Sequence, residues 1–407
     1  MILKQDIELA IVVQRDQLIT KSGTISRTFL DDFKAVGNHI EVISGVRRCG
    51  KSTLMKKIIQ NCYQKTAWFN FEDSRVHGFE VSDFGKLDEL MGRGIEAYFF
   101  DEIQNVPSWE IFVRQLHDRK EKVFITGSNA ALLSKELGTR LTGRHIRHEL
   151  FPFNYTEFLH YRNLEPGSSS FNSYVQLGGF PEYLDAASPE ILQNLLKDIV
   201  FRDIAVRYGI RNTASLMDIT LYLISNIGKE FSYNTLRKIF SIGSANTVSD
   251  YLTWLGDSYL LFFLPRFSWS AKSIAMNPRK VFSIDTGLVN ANTLSFSKDR
   301  GRLIENAVYL FLRQHKTDLY YFRERLDCDF VVFKDRGCKM LIQVCGQLNH
   351  DNLKRETEGL EEAMNFFGLK EGYILTLDQS DEISLHNNYI HILPVYQFFT
   401  SGLIDNL

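Results

Sequence analysis

No apolar run in this chain approaches the length of a membrane-crossing helix. The longest notable one, Tyr259–Leu264, falls far short of the roughly 20 residues such a helix needs. The amino terminus, Met1-Ile-Leu-Lys-Gln-Asp-Ile-Glu, lacks the apolar stretch of a secretory leader. Cysteine is scarce. There are 5 in 407 residues (Cys49, Cys62, Cys328, Cys338, Cys345), none of them at CxxC spacing. That argues against a disulfide framework or a zinc site and for a reduced compartment. Neither sign of charge dominates, with 47 Lys and Arg against 49 Asp and Glu and a net charge of −2. Such a balance argues against a surface that is one continuous nucleic-acid footprint, while leaving room for local basic patches. The sequence has no internal repeat and no low-complexity segment. These absences lead us to expect a cytoplasmic protein with no membrane association.

The remaining composition, 44% hydrophobic and 24% charged, is that of an ordinary globular protein. The length suggests about two to four domains. In the first third, strand-like runs at Ile40–Ser44, Ala67–Phe71, Ala97–Phe100 and Lys122–Thr126 alternate with amphipathic stretches such as Thr53–Gln60 and Trp109–Arg119. That alternation predicts a parallel sheet covered by helices on both faces. Between two of these elements stands Gly45-Val46-Arg47-Arg48-Cys49-Gly50-Lys51-Ser52-Thr53, which fits G-x-x-x-x-G-K-[ST]. Glycines allow the sharp turn that points successive N–H groups at phosphate oxygens. The helix beginning at Lys51 adds its positive end. Lys51 is expected to reach the β- and γ-phosphates of ATP and Ser52 to ligate Mg²⁺, with Thr53 near the α-phosphate.

Further on, Tyr98-Phe99-Phe100-Asp101-Glu102 is an apolar strand ending in two acids, the pattern of a Walker B strand. Asp101 would hold the Mg²⁺ shell and Glu102 would orient and deprotonate the attacking water. The strand Val123-Phe-Ile-Thr-Gly ends in Ser128 and Asn129. These could sense the γ-phosphate or simply form a polar loop. The stretch Lys135–His148 sets Lys135, Arg140, Arg144 and Arg147 against one acid, Glu136. Arg140 and Arg144 are candidates for a charge supplied to a neighbouring subunit's γ-phosphate, with a solvated basic face as the alternative.

With Asp101-Glu102-Ile-Gln, Ile125-Thr-Gly-Ser, Leu141-Thr-Gly-Arg, Pro152-Phe and Gly178-Gly-Phe-Pro-Glu-Tyr in this order, the sequence resembles a family of bacterial and archaeal AAA-type ATPases. These join an ATPase core to a C-terminal domain of unknown function. Gly301-x-x-x-Glu305-Asn-Ala-Val and Asp327-x-Asp329-Phe match that second half. The resemblance implies ATP and Mg²⁺ as cofactors. The Gly179-Phe180-Pro181 turn is similar to one in related signalling ATPases, which implies that Pro181 contacts adenine. We therefore expect an α/β protein with a parallel-sheet P-loop ATPase core over 1–153 and a helical lid or linker over 154–212. A winged-helix domain over 213–295 and a small nuclease-like α/β domain over 296–407 follow.

Glu305 and Asp329 resemble two members of a PD-(D/E)xK nuclease core. Where that core has Glu-x-Lys, this chain has Gln343-Val-Cys345. A neutral amide is a weak ligand for a hard cation, and cysteine supplies no ammonium. The expectation is a docking domain without nuclease activity. The recognition-helix candidate Ser244–Leu255 carries Asn246 and Asp250 but no Lys or Arg, so base-specific DNA reading is not expected. Arg266, Lys272, Arg279 and Lys280 with no intervening acid leave nonspecific phosphate contact open. The leading expectation is an ATP-hydrolysing switch that acts on a protein partner and can form a homo-oligomer. The alternatives are a DNA-binding ATPase of mobile-element or defence type, or a nucleotide-gated binding module without turnover.

Overall fold

Short runs of β-branched and aromatic residues build the first sheet. The computed structural model describes residues 1–19, 27–30, 33–128, 141–294, 299–315, 317–385 and 388–404. The chain divides into two units, Met1–Phe151 with Asp257–Tyr259, and Pro152–Gly256 with Leu260–Leu407.

In the first unit, β1 (Ile40–Ser44), β2 (Thr66–Asn70), β3 (Ala97–Asp101), β4 (Lys122–Gly127) and β5 (His145–Glu149) form one sheet in the order β2-β3-β4-β1-β5. All neighbours are parallel. Every residue of β1, β3 and β4 is buried. Continuous burial, rather than alternation, is what a sheet covered on both faces requires. The covering includes α1 (Lys4–Ile19), α2 (Lys51–Cys62), α3 (Phe84–Met91) and α4 (Glu110–Asp118). Phe99 and Phe124, on adjacent strands, stack at 4.5 Å and 6°. This order brings the carboxyl ends of β1, β3 and β4 to one edge, where open parallel sheets bind ligands.

Lys135, Glu136 and Arg140 lie outside the described residues, and His145–Glu149 is strand β5, half-buried and paired with β1. Four of its five residues are polar and Ile146 alone is apolar, too little for an apolar alternation, so pairing with β1 decides its conformation.

The second unit begins with α5 (Tyr155–Arg162), α6 (Ser168–Leu177), α7 (Pro181–Ala186) and α8 (Pro189–Lys197). A π-helix, Asp198–Val206, follows. Next come α9 (Thr213–Ile224), α10 (Tyr233–Ile239) and α11 (Ala245–Asp257) with a small antiparallel sheet. In it β8 (Arg279–Ser283) lies between β6 (Glu230–Phe231) and β7 (Leu261–Pro265). Two short helices, α12 (Ala271–Met276) and α13 (Thr286–Asn292), precede and follow β8. Helix α14 (Arg300–Gln314) leads into a six-stranded mixed sheet. Its strands are β9 (Asp318–Arg323), β10 (Asp327–Lys334), β11 (Gly337–Val344), β12 (Glu371–Thr376), β13 (Asp381–Leu385) and β14 (Asn388–Pro394), joined by α15 (Leu353–Phe367) and closed by α16 (Val395–Thr400).

The turn Gly178-Gly179-Phe180-Pro181 has a packing explanation within this unit. A Cβ on Gly179 would lie 2.1 Å from the Phe153 carbonyl oxygen, and Gly178 has φ +71°. Asp285 accepts the Gly179 N–H at 2.6 Å and the Leu288 N–H at 2.8 Å. Burial raises the Asp285 pKa to about 6 against these hydrogen bonds. A raised aspartate pKa stabilises the fold below the ordinary aspartate range, and that contribution is lost as pH rises through about 6. Asp285→Ala strands two N–H groups and is expected to cost about 2–5 kcal/mol. Thermal unfolding at pH 5 and pH 7.5 checks both effects: the variant should unfold at a lower temperature and lose that part of the pH dependence.

Candidate active site

Strand β1 ends at Ser44, and the chain must turn at once toward α2. Gly45 is needed there, because a Cβ would sit 2.1 Å from the Leu150 carbonyl oxygen. Gly50 caps α2 with φ +101°, a left-handed conformation that side chains resist. Val46 and Cys49 are fully buried, and burial raises the Cys49 thiol pKa. Arg47 pairs with Glu72 at 3.0 Å, and Arg48 takes a positive φ of 64°. Arg27 braces the loop from outside the motif, donating to the Cys49 carbonyl at 3.1 Å and to that of Phe151. Ser44 Oγ meets the Tyr259 hydroxyl at 2.7 Å and accepts from Arg147 Nε at 3.1 Å, with Tyr259 belonging to this same unit.

Lys51 is only 4% exposed. Its ammonium donates to the Gly45 and Val46 carbonyls, each at 3.1 Å, and faces Glu102 Oε1 at 3.4 Å. Burial disfavours the charge, but Glu102 and Asp101 outweigh it and raise the pKa above the ordinary lysine value. Asp101 is 1% exposed. Its Oδ1 accepts from Thr126 Oγ1 at 2.6 Å, while its buried Oδ2 has no hydrogen-bond partner. Burial first, and Glu102 second, raise the Asp101 pKa to about 6, against the opposing effects of Thr126, Ser52 and Lys51.

Glu102 adopts φ 51° and ψ 44°, and its N–H donates to Thr126 Oγ1 at 2.9 Å. Gln104 Nε2 donates to Glu102 Oε2. Burial opposes ionisation of Glu102, yet Lys51, Gln104 and Arg47 together lower its pKa. Thr126 thus joins both acids from β4. It stands inside the Ile125-Thr-Gly-Ser motif, two residues before the expected Ser128. Ser128 is buried directly after β4, and Asn129 lies outside the described residues.

These residues fit Mg²⁺. The free Asp101 oxygen and the nearby Ser52 hydroxyl are hard donors on the loop edge of the sheet, and Mg²⁺ takes few protein oxygens when phosphates and water complete its shell. Thr53 follows them in the first turn of α2. Arg144 is elsewhere. It precedes β5 beside Ile40, at the end of the sheet opposite the loop, and lies 3.7 Å from Asp118. Pro181 starts α7 in the second unit.

A second cluster of charge lies inside the second unit. Lys280, on β8, donates to Glu305 Oε1 at 2.9 Å and to Asp329 Oδ1 at 2.7 Å. Gln343 accepts the Asp329 N–H at 3.1 Å and donates to Glu356 Oε2 at 2.6 Å. Val344 N–H binds the other Asp329 oxygen at 3.0 Å. Burial opposes the Lys280 charge, but Asp329 and Glu305 raise its pKa. Burial and Asp329 push Glu305 up to about 7, against the pull of Lys280. The ammonium absent at Cys345 therefore arrives from a strand far away in sequence, which motif spacing could not reveal.

A parallel sheet in this order, with a phosphate loop after β1 and paired acids at the end of β3, defines a P-loop protein of the AAA type. Residues 37–159 match the AAA domain family, and residues 168–299 match a domain of unknown function (DUF8612). The uncharacterized protein MJ1544 of Methanocaldococcus jannaschii is 33% identical, across 95% of this chain and 94% of its own. An uncharacterized protein of Haemophilus influenzae is 32% identical, across 67% of this chain and 74% of its own. The Thermotoga maritima RuvB Holliday junction branch migration motor is 15% identical, with 64% of this chain and 88% of that chain covered and a TM-score of 0.30. The chain belongs to the AAA-type P-loop ATPase family that includes MJ1544.

Thr126→Val removes the donor to Asp101 and the acceptor for Glu102 N–H while keeping the side chain's shape. We expect it to fold and to release phosphate from ATP about tenfold more slowly than wild type.

Proposed function

We propose that this chain is a Mg²⁺-dependent, ATP-hydrolysing switch whose second unit docks a protein partner. The observation that carries the reading is the buried, unbonded Asp101 Oδ2 beneath a loop that presents Lys51 and Ser52. In this reading Lys51 leaves the Gly45 and Val46 carbonyls for the β- and γ-phosphates. Bound Mg²⁺ would neutralise the charge that develops on the phosphate oxygens. Ser52 and Asp101 would hold it, and Glu102 would take the proton of the attacking water.

Arg140 or Arg144 acting on a neighbour's γ-phosphate is carried by the basic stretch that holds them, and Pro181 contacting adenine by resemblance. The subdivision of 154–407 into lid, winged helix and nuclease-like domain is carried by the order of expected elements and by resemblance. Within that subdivision, the Lys280 pairing supports docking rather than nuclease chemistry. One internal cation already engages both Glu305 and Asp329, so no hydrolysis of DNA is expected with Mg²⁺ or Mn²⁺. Lys280→Met leaves two buried acids unpaired and is expected to destabilise the fold by about 3–5 kcal/mol, read by chemical denaturation.

The DNA-binding alternative loses much of its basic segment. Lys280 is buried, Arg279 stacks on Tyr233, and Arg266 binds the Arg323 carbonyl and faces Glu324 at 3.7 Å. We expect ATP turnover to be the same with and without duplex DNA at low salt. Salt-sensitive stimulation would instead favour the DNA-acting reading. Lys51→Ala tests the nucleotide site itself: its ATP affinity should fall at least tenfold by fluorescence titration, and wild-type affinity would remove the proposal.

A further inference from the structure

Gln104 follows Glu102 by two residues, on the single 3-10 turn Ile103–Asn105. The left-handed backbone at Glu102 is unfavourable for a residue with a side chain, and strain of this kind is kept where the surrounding structure uses it. Here the tight turn accompanies a side-chain contact over two residues. Gln104 Nε2 donates to Glu102 Oε2. A carboxylate only accepts, so the amide must point its NH₂ group at Glu102 and its oxygen away. That oxygen, Gln104 Oε1, is buried without a hydrogen-bond partner. A buried acceptor left unbonded is costly, and the same site holds a second such atom, Asp101 Oδ2.

The other Glu102 oxygen faces Lys51. Once ATP phosphates engage that ammonium, its hold on Glu102 weakens. Gln104 then remains as the side-chain hydrogen-bond donor to this carboxylate.

We propose that Gln104 is a positioning residue for ATP hydrolysis. Its N–H fixes the Glu102 carboxylate, and its Oε1 receives the second hydrogen of the attacking water. This rests on the reading of Glu102 as the base. In the step, the water oxygen bonds to the γ-phosphorus and one water proton passes to Glu102. The bond from the γ-phosphorus to the bridging oxygen breaks, and its electron pair leaves on ADP. Gln104 neither gains nor loses a proton.

The test compares Gln104→Leu and Gln104→Glu with wild type, measuring affinity for a fluorescent ATP analogue, kcat for phosphate release and thermal unfolding. Both variants should bind nucleotide within about twofold of wild type and lose about 100-fold in kcat, the scale expected when a reacting group is misplaced. Adding Gln104→Leu to Glu102→Gln should cost little more, because residues that act as one unit are not additive. A kcat within about twofold of wild type would overturn the proposal. So would a loss confined to affinity or stability, or full additivity in the double variant. If Glu102→Gln hydrolyses ATP at the wild-type rate, the base reading fails and this inference fails with it. If Glu102→Gln is inactive while both Gln104 variants are normal, only this inference fails.

Discussion

The candidate site at the phosphate loop depends on a buried balance of charge. Lys51, Asp101 and Glu102 stand together where water is scarce, and no one of them would be stable there alone. Lys51 keeps its charge because the two acids face it. Glu102 keeps its own because Lys51, Gln104 and Arg47 offset burial. Asp101 is the member left short, with a raised pKa and one unbonded oxygen. The sheet order makes this meeting unavoidable, since β1, β3 and β4 end side by side. An incoming nucleotide with its cation would complete that balance.

The second unit repeats the theme with a different outcome. Lys280 stands between Glu305 and Asp329, and Gln343 ties Asp329 to Glu356. Among the described residues, none of the buried side-chain atoms of that network is left without a hydrogen-bond partner. The two clusters thus look alike in composition and differ in what they leave unsatisfied. Under the proposed function, that difference separates a site open to a ligand from a polar core that holds a sheet, a strand and two helices together.

The loop and the paired acids, each carried by contiguous residues, were legible in the sequence. The Gly45–Thr53 loop needs its glycines, lysine and hydroxyl in one short run, and Asp101-Glu102 must follow an apolar strand. The parallel sheet was legible for the same reason, because its buried strands read as apolar runs between amphipathic helices. Strand β5 was not, since His145–Glu149 holds a single apolar residue, Ile146, and owes its conformation to β1. Strands β13 and β14, late in the chain, also escaped notice. Thr126 was passed over for Ser128 because strand register, not residue type, decides which side chain meets Asp101. Lys280 was placed in a basic segment left open to phosphate contact, although its strand buries it against acids distant in sequence. Roles set by tertiary juxtaposition leave no mark in local spacing.

The most direct test of the account is single-turnover phosphate release from saturating ATP and Mg²⁺ by wild type and by Glu102→Gln, with nucleotide binding measured on the same samples. The account predicts that both bind ATP alike, that wild type releases phosphate, and that the variant does so at least about 100-fold more slowly. Equal release by the two proteins, or none by wild type while ATP is bound, would contradict it.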